Sequence, residues 1–399
     1  MSAKTASTNS FYLRLGAAAL LGAGVATWPA AANETDQFTL PAEVQFVDIG
    51  DYLSLVHYQV LKDTVEHLNE RIRWTRSART EDTRQETLAE YHDPMEVADQ
   101  VRVRFGPGFI ETLRLEEALH SGKARRRYSD QALAYRTGDW IYTYTHLPID
   151  PRKLVLAVQS STIYAYGVYL GTDKVAHFHD LGHYYFRDYQ KHLASGMNSK
   201  QARRRVVDEY SNGIISEKSI IGNIATGVHS NADLAANYLG FKFYENLTEP
   251  VMLQGEERPP MLVRIGDYWA LNHHVRPDTD FFRPFISDHM NEALNPCVYE
   301  AGMRSPIRKR IEKMSADILY RYADDDGEPR EPEWFDARAE ELVTYFGEDY
   351  GHTGIVDEMV LLSEACFSDR AVELAAERRL EWGPELNPNA DIRAGVRGP

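Results

Sequence analysis

The 399-residue chain has only two cysteines, Cys297 and Cys366, so it is no small disulfide-stapled fold and can form at most one disulfide. It lacks any internal repeat, which excludes a solenoid or array. It also lacks a basic surplus: 44 Lys and Arg stand against 60 Asp and Glu, and a formal net charge of −16 makes a poor generic binder of nucleic acid or anionic lipid. Its mean hydropathy is negative, which excludes a multi-span membrane protein. The one stretch near spanning length, Leu154–Leu170, carries Gln159, Ser160, Ser161 and Thr162 at its centre and reads as a buried helix of a soluble core.

What is present begins with a leader. Lys4 and Arg14 precede an apolar run from Leu15 to Val25, too short to span a bilayer, and Ala30 and Ala32 satisfy the small-residue rule for signal-peptide cleavage. We read residues 1–32 as a signal peptide removed after Ala32, giving a periplasmic or secreted protein with no stable transmembrane anchor. No cysteine near the cleavage point offers a lipoprotein anchor. In an oxidising compartment Cys297 and Cys366 are candidates for one long-loop disulfide, and two separate buried thiols are the equal alternative.

Helical spacing dominates the remaining chain. Leu53, Val56, Val60, Leu61, Val65, Leu68 and Ile72 mark a long amphipathic helix over 49–73 with Asp51 as its cap, and His57 and His67 lie along it. "SARTEDTRQET" reads as a charged loop, "FIETLRLEEALHSGKARRRYSD" as a second helix, and 153–240 as almost wholly helical. After Pro250 a Gly-Glu-Glu turn, paired prolines and short Val, Ile, Tyr and Trp runs predict a β-hairpin or meander. The expected fold is mainly α: a soluble helical bundle with a small β-hairpin or meander insertion near 250–271. Its parts are a helical core at 33–249, the β-containing insertion and linker at 250–300, C-terminal helices at 301–387 and a disordered tail at 388–399.

Chemistry concentrates in "GTDKVAHFHDLGHYYF", residues 171–186. On a helix from about Asp173, the residues Asp173, His177, Asp180 and Tyr184 share one side with Lys174 bordering it, while His179 and His183 line another. The three histidines cannot then bind one metal together. About fifty residues on, Ser230 and Asp233 form a capping pair for a helix on which His229, Asp233 and Asn237 project together, with Ala236 and Gly240 small enough for a close neighbour. Two helices that each present an acid, an imidazole and an amide or amine can face one another. "ISDHMNEALNP" adds Asp288, His289 and Glu292, which gain weight only if the fold brings them near His177.

The pattern D-K-x-x-H-F followed by S-x-x-D-x-x-x-N-x-x-G resembles the motif set of the VanZ-like family and related small exported bacterial proteins. Asp173, Lys174, His177 and Phe178 match the first block, Ser230, Asp233, Asn237 and Gly240 the second, and Glu217 stands near the middle acidic position. The resemblance covers under a quarter of the chain. It implies a helical core with clustered polar residues in an envelope protein.

Three functions compete. In the first, Asp173, Lys174, His177, Asp180, Glu217, His229, Asp233 and Asn237 perform acid/base chemistry on a phosphorylated or acylated envelope compound, or a lipid headgroup, without a cofactor. In the second, "HFHDLGH" is the core of an HD-type metal phosphohydrolase that holds a divalent metal through His179, Asp180 and His183, completed by His146 and by Asp208 or Asp233. The third is a non-catalytic envelope protein that binds through its 23 tyrosines or uses the polar cluster as internal glue.

Overall fold

The computed structural model describes residues 34–77, 81–128, 132–138, 141, 159–212, 227–342, 344, 356–383 and 386. Residues 1–32, read above as a leader, His146, Glu217 and the residues from 388 onward lie outside them.

The first apolar stripe folds as α1 (Gly50–Arg76), with Leu53, His57, Leu61, Leu68 and Ile72 inward. Asp51 does not cap it. It pairs with Arg127 and Tyr128, and Asp48 accepts from the Gly50 N–H at 2.8 Å instead. The stretch expected as a charged loop is helical from its acidic residue onward, as α2 (Glu81–Tyr91), because Leu88 and Tyr91 find apolar cover among the first core's residues. Pro94 at the first turn and an Asp93 cap start α3 (Pro94–Phe105), and the single helix expected next is broken at Ser121–Gly122 into α4 (Gly108–His120) and a short helical segment at Lys123–Arg127.

The Leu154–Leu170 helix is overturned over its described part. Gln159–Ser160 (β2) pairs in parallel with Glu34–Thr35 (β1), and Thr162–Ala165 (β3) and Val168–Gly171 (β4) form an antiparallel hairpin. Tyr166 and Gly167 both adopt positive φ at its turn, which a helix cannot accommodate. Thr162, Ile163, Tyr164, Val168 and Tyr169 are β-branched or aromatic, and these residue types pack well on a pleated surface.

Beyond the hairpin run α5 (Thr172–Ala176), a π-helical turn (His177–Leu181) and α6 (Gly182–Ala194), continuous in direction. α7 (Ser199–Asn212) packs back on α6. A short strand β5 (Val228–His229) leads into α8 (Asn231–Asn246), buried along its whole length except at Glu245. Such all-round burial marks a central helix. The expected β insertion is two hairpins, Val251–Leu253 with Glu256–Arg258 and Leu262–Ile265 with Tyr268–Leu271. C-terminal helices include Ala301–Lys313, Ser315–Arg321, Pro332–Leu342 and Asp369–Glu381. The fold is mainly α, and no helix among the described residues is long and apolar enough to cross a membrane.

Two cores result. The larger gathers side chains from α1 to α8 and from the hairpins; the second joins Phe38, Val228, Leu294, Tyr299, Ile307, Leu342 and both cysteines. Cys297 and Cys366 are buried thiols rather than a disulfide, which decides that alternative.

Candidate functional site

The site exists because α8 and the π-turn touch backbone to backbone. A Cβ added to Gly240 would fall 1.9 Å from the Phe178 carbonyl oxygen, and one on Gly182 would fall 2.6 Å from the Gly240 backbone. Only glycine permits this approach, and it brings the polar residues of the two segments within reach of one another. Ser230 caps α8 by accepting from the Asp233 N–H at 3.2 Å, which places Asp233 in the first turn, facing α5.

Lys174 is the centre of the cluster and is fully buried. Its ammonium lies 2.7 Å from Asp173 Oδ2 and 2.5 Å from Asp233 Oδ1, and also touches Glu292 Oε1. Thr35 donates to Asp173 Oδ1 at 2.7 Å. His177 Nδ1 donates to Asn237 Oδ1 at 3.1 Å, which turns Nε2 toward Asp233 Oδ2 at 3.5 Å. Burial pushes Asp233 up, but His177 and Lys174 outweigh it and hold the carboxyl below its usual range. Glu292 goes the other way. Burial, with Asp173 and Asp233 beside it, lifts it to about 8 despite Lys174, and its Oε2 makes no hydrogen bond. Its surroundings therefore favour the protonated acid, beside an ammonium and two carboxylates. The Asp173, Asp233 and Glu292 oxygens lie within 4.8 Å of one another, a grouping that could hold a metal ion.

The π-turn divides the motif differently from a regular helix. Asp180 does not join Asp173 and His177; it stays buried but turns to other partners, where Arg102 binds it through Nε at 3.0 Å and through Nη2, and the Gly108 N–H reaches it at 3.3 Å. Tyr184 follows it, under the Arg102 guanidinium. His183 pairs with Asp99 at 2.7 Å. His179 turns to α1 and α4, where its Nε2 meets His57 Nε2 at 3.0 Å and Glu111 Oε1 at 3.4 Å. His179, Asp180 and His183 thus have three different sets of partners, and Asp233 stands with Lys174, so the described members of the HD-type ligand set are dispersed.

His229 is buried on β5, one residue before the cap, rather than on the helix with Asp233 and Asn237. Of the "SDHMNE" set only Glu292 reaches Lys174. Asp288 pairs with Arg338, and His289 bonds Ser287 and the Thr344 carbonyl. Thr35, His57, Arg102 and Glu111 were not singled out for chemistry by sequence; His57 alone had a visible signal, an imidazole on the apolar stripe of α1.

Comparison with family models, with curated proteins and with solved structures finds no match to this chain.

Proposed function

We propose that the Lys174 cluster is the acid/base centre of an exported hydrolase or transferase acting on a phosphorylated or acylated compound. The observation that carries this reading is the surplus of acid around one cation. A purely structural ion pair needs one carboxylate for the Lys174 ammonium; here there are three, and the third, Glu292, stays protonated near neutral pH with one oxygen unpartnered. Holding a carboxyl in that state lowers stability, and such groups concentrate where proton transfer is needed. Glu292 would donate, the Asp233 carboxylate, held charged by His177, would accept, and Lys174 would meet the anionic group once the helices part enough to admit it. The leader and the VanZ-like motif resemblance support an envelope setting for this chemistry.

Complete burial favours a second reading, an internal polar lock without catalysis. Turnover of p-nitrophenyl phosphate and p-nitrophenyl acetate, together with thermal melts of wild type, His177→Ala and Glu292→Gln, separates the two. The enzyme reading expects turnover that both variants abolish, with melting temperatures equal to wild type or higher. Lowered melts with no wild-type turnover would leave the lock.

A further inference from the structure

On the side of the π-turn away from Lys174, a second buried group has no place in the acid/base reading. We propose that His57 Nε2, His179 Nε2 and the Glu111 carboxylate form a binding site for a first-row divalent transition metal such as zinc.

The argument starts from hydrogen positions. His57 Nδ1 donates to the Leu53 carbonyl at 2.7 Å, so its Nε2 presents a bare lone pair. A backbone carbonyl holding the far nitrogen is how ligating histidines are commonly oriented. That lone pair points at another imidazole nitrogen, His179 Nε2, 3.0 Å away, with Glu111 Oε1 3.4 Å beyond. Two donors on a tetrahedral metal with bonds of about 2.0–2.1 Å stand about 3.3 Å apart, so both edges are close to ligand spacing.

Hydrogen bonding alone leaves the group unsatisfied. His179 can offer one Nε2 proton, which serves either His57 or Glu111, and Glu111 Oε2 and His179 Nδ1 have no partner while buried. A cation would use the His57 lone pair and both Glu111 oxygens. Rings hold the imidazoles in place: Phe105 stacks on His179 with centroids 3.6 Å apart, and Phe282 stacks on His57 at 3.5 Å. The Tyr244 hydroxyl fixes the His179 backbone at 2.9 Å. Asp180 is committed to Arg102 and takes no part in ligation. Among the described residues only Asp173, Asp233 and Glu292 have three donor atoms all within 4.8 Å, so the edge from His57 to Glu111 is the open one. Glu111, with its unbonded oxygen, is the side chain that swings to close it. Imidazole donors select zinc, iron, nickel or copper over magnesium or calcium.

The rival site is the carboxylate cage around Lys174, and the test sets one against the other. Metal-stripped full-length protein is titrated with zinc sulfate alone, with binding read by calorimetry and by melting temperature, and the zinc-loaded wild type is examined by X-ray absorption. The proposal expects one zinc per chain, a raised melting temperature, and imidazole scattering from two histidines. His57→Gln and Glu111→Gln should each weaken binding by more than about tenfold, while Asp233→Asn leaves it unchanged. Absence of stoichiometric zinc binding, oxygen-only ligation in the absorption spectrum, or loss of binding in Asp233→Asn with retention in His57→Gln would each overturn it. The absorption measurement needs no variant, so it decides the matter even where a substituted chain does not fold.

Discussion

The two polar clusters lie on either side of one short helical segment, yet burial acts on them in opposite ways. Around Lys174 the groups are close enough to ionise one another: Asp233 is held charged by His177 and Lys174, and only the third carboxyl, Glu292, takes up a proton. Around His179 none of the described residues places a cation in contact with His57, His179 or Glu111, and burial favours the neutral form of all three. Burial drives His57 down to about 3 and His179 well below its usual value, and it raises Glu111 well above the carboxylate range with help from Asp180. Equal burial therefore does not dictate charge. A buried ammonium beside a carboxylate preserves ionisation, and its absence erases it.

The largest effect should come from removing the cation that makes the difference. Lys174→Met leaves Asp173 and Asp233 buried without a counter-charge and should destabilise the fold by about 3–5 kcal/mol, measured by chemical denaturation. A change below about 1 kcal/mol would mean that water reaches the carboxylates and the cluster is not closed. Next comes the partition itself. Gly240→Ala places a Cβ on the Phe178 carbonyl, so the α8 contact with the π-turn must open, at a cost of about 3 kcal/mol, with His177 separated from Asp233. Unchanged stability would show that the helices stand further apart than this contact requires.

A smaller effect distinguishes the two sides by pH. Glu292 titrates at about 8 when folded against an ordinary 4.5, so between those values the folded chain holds a proton that the unfolded chain lacks, and stability falls as pH rises through that window. His57, at about 3 when folded against 6.5, refuses a proton that the unfolded chain accepts, so stability falls as pH drops below 6.5. Each contributes a slope of about 1.4 kcal/mol per pH unit inside its window. Melting curves across pH should show Glu292→Gln flattening the alkaline limb only and His57→Gln the acid limb only; a variant that flattened both would end the separation. The smallest effect is expected for His177→Ala, below about 1 kcal/mol if the cluster is held for chemistry and about 1–3 kcal/mol if it is a lock.

Much of the charged side was legible in the sequence. Asp173, Lys174 and His177 share a helical face, Ser230 caps the helix that carries Asp233 and Asn237, and Gly240 announces a close neighbour. Glu292 was visible as an acid, but its approach to Lys174 spans 118 positions and no local period encodes it. The neutral side was hidden. His57, Glu111 and His179 come from three separate helical segments, and each alone reads as an ordinary residue of an amphipathic helix. Two local readings failed for local reasons of their own. The serine- and threonine-rich stretch before Gly171 is a hairpin because its turn needs positive φ, and Asp180 left its expected face because the π-turn shifts the helical phase.

By itself, then, the sequence determined the helical class, a β insertion after Pro250, the capped central helix and the polar face that meets it, because these depend on periodicity, turn chemistry and capping within a few residues. Only the tertiary structure decided that a third carboxyl closes on Lys174, that three histidines six positions apart at most serve three different sets of partners, and that both cysteines remain thiols. Those outcomes depend on which surfaces exclude water together, and that is a property of packing between distant segments that no stretch of chain carries alone.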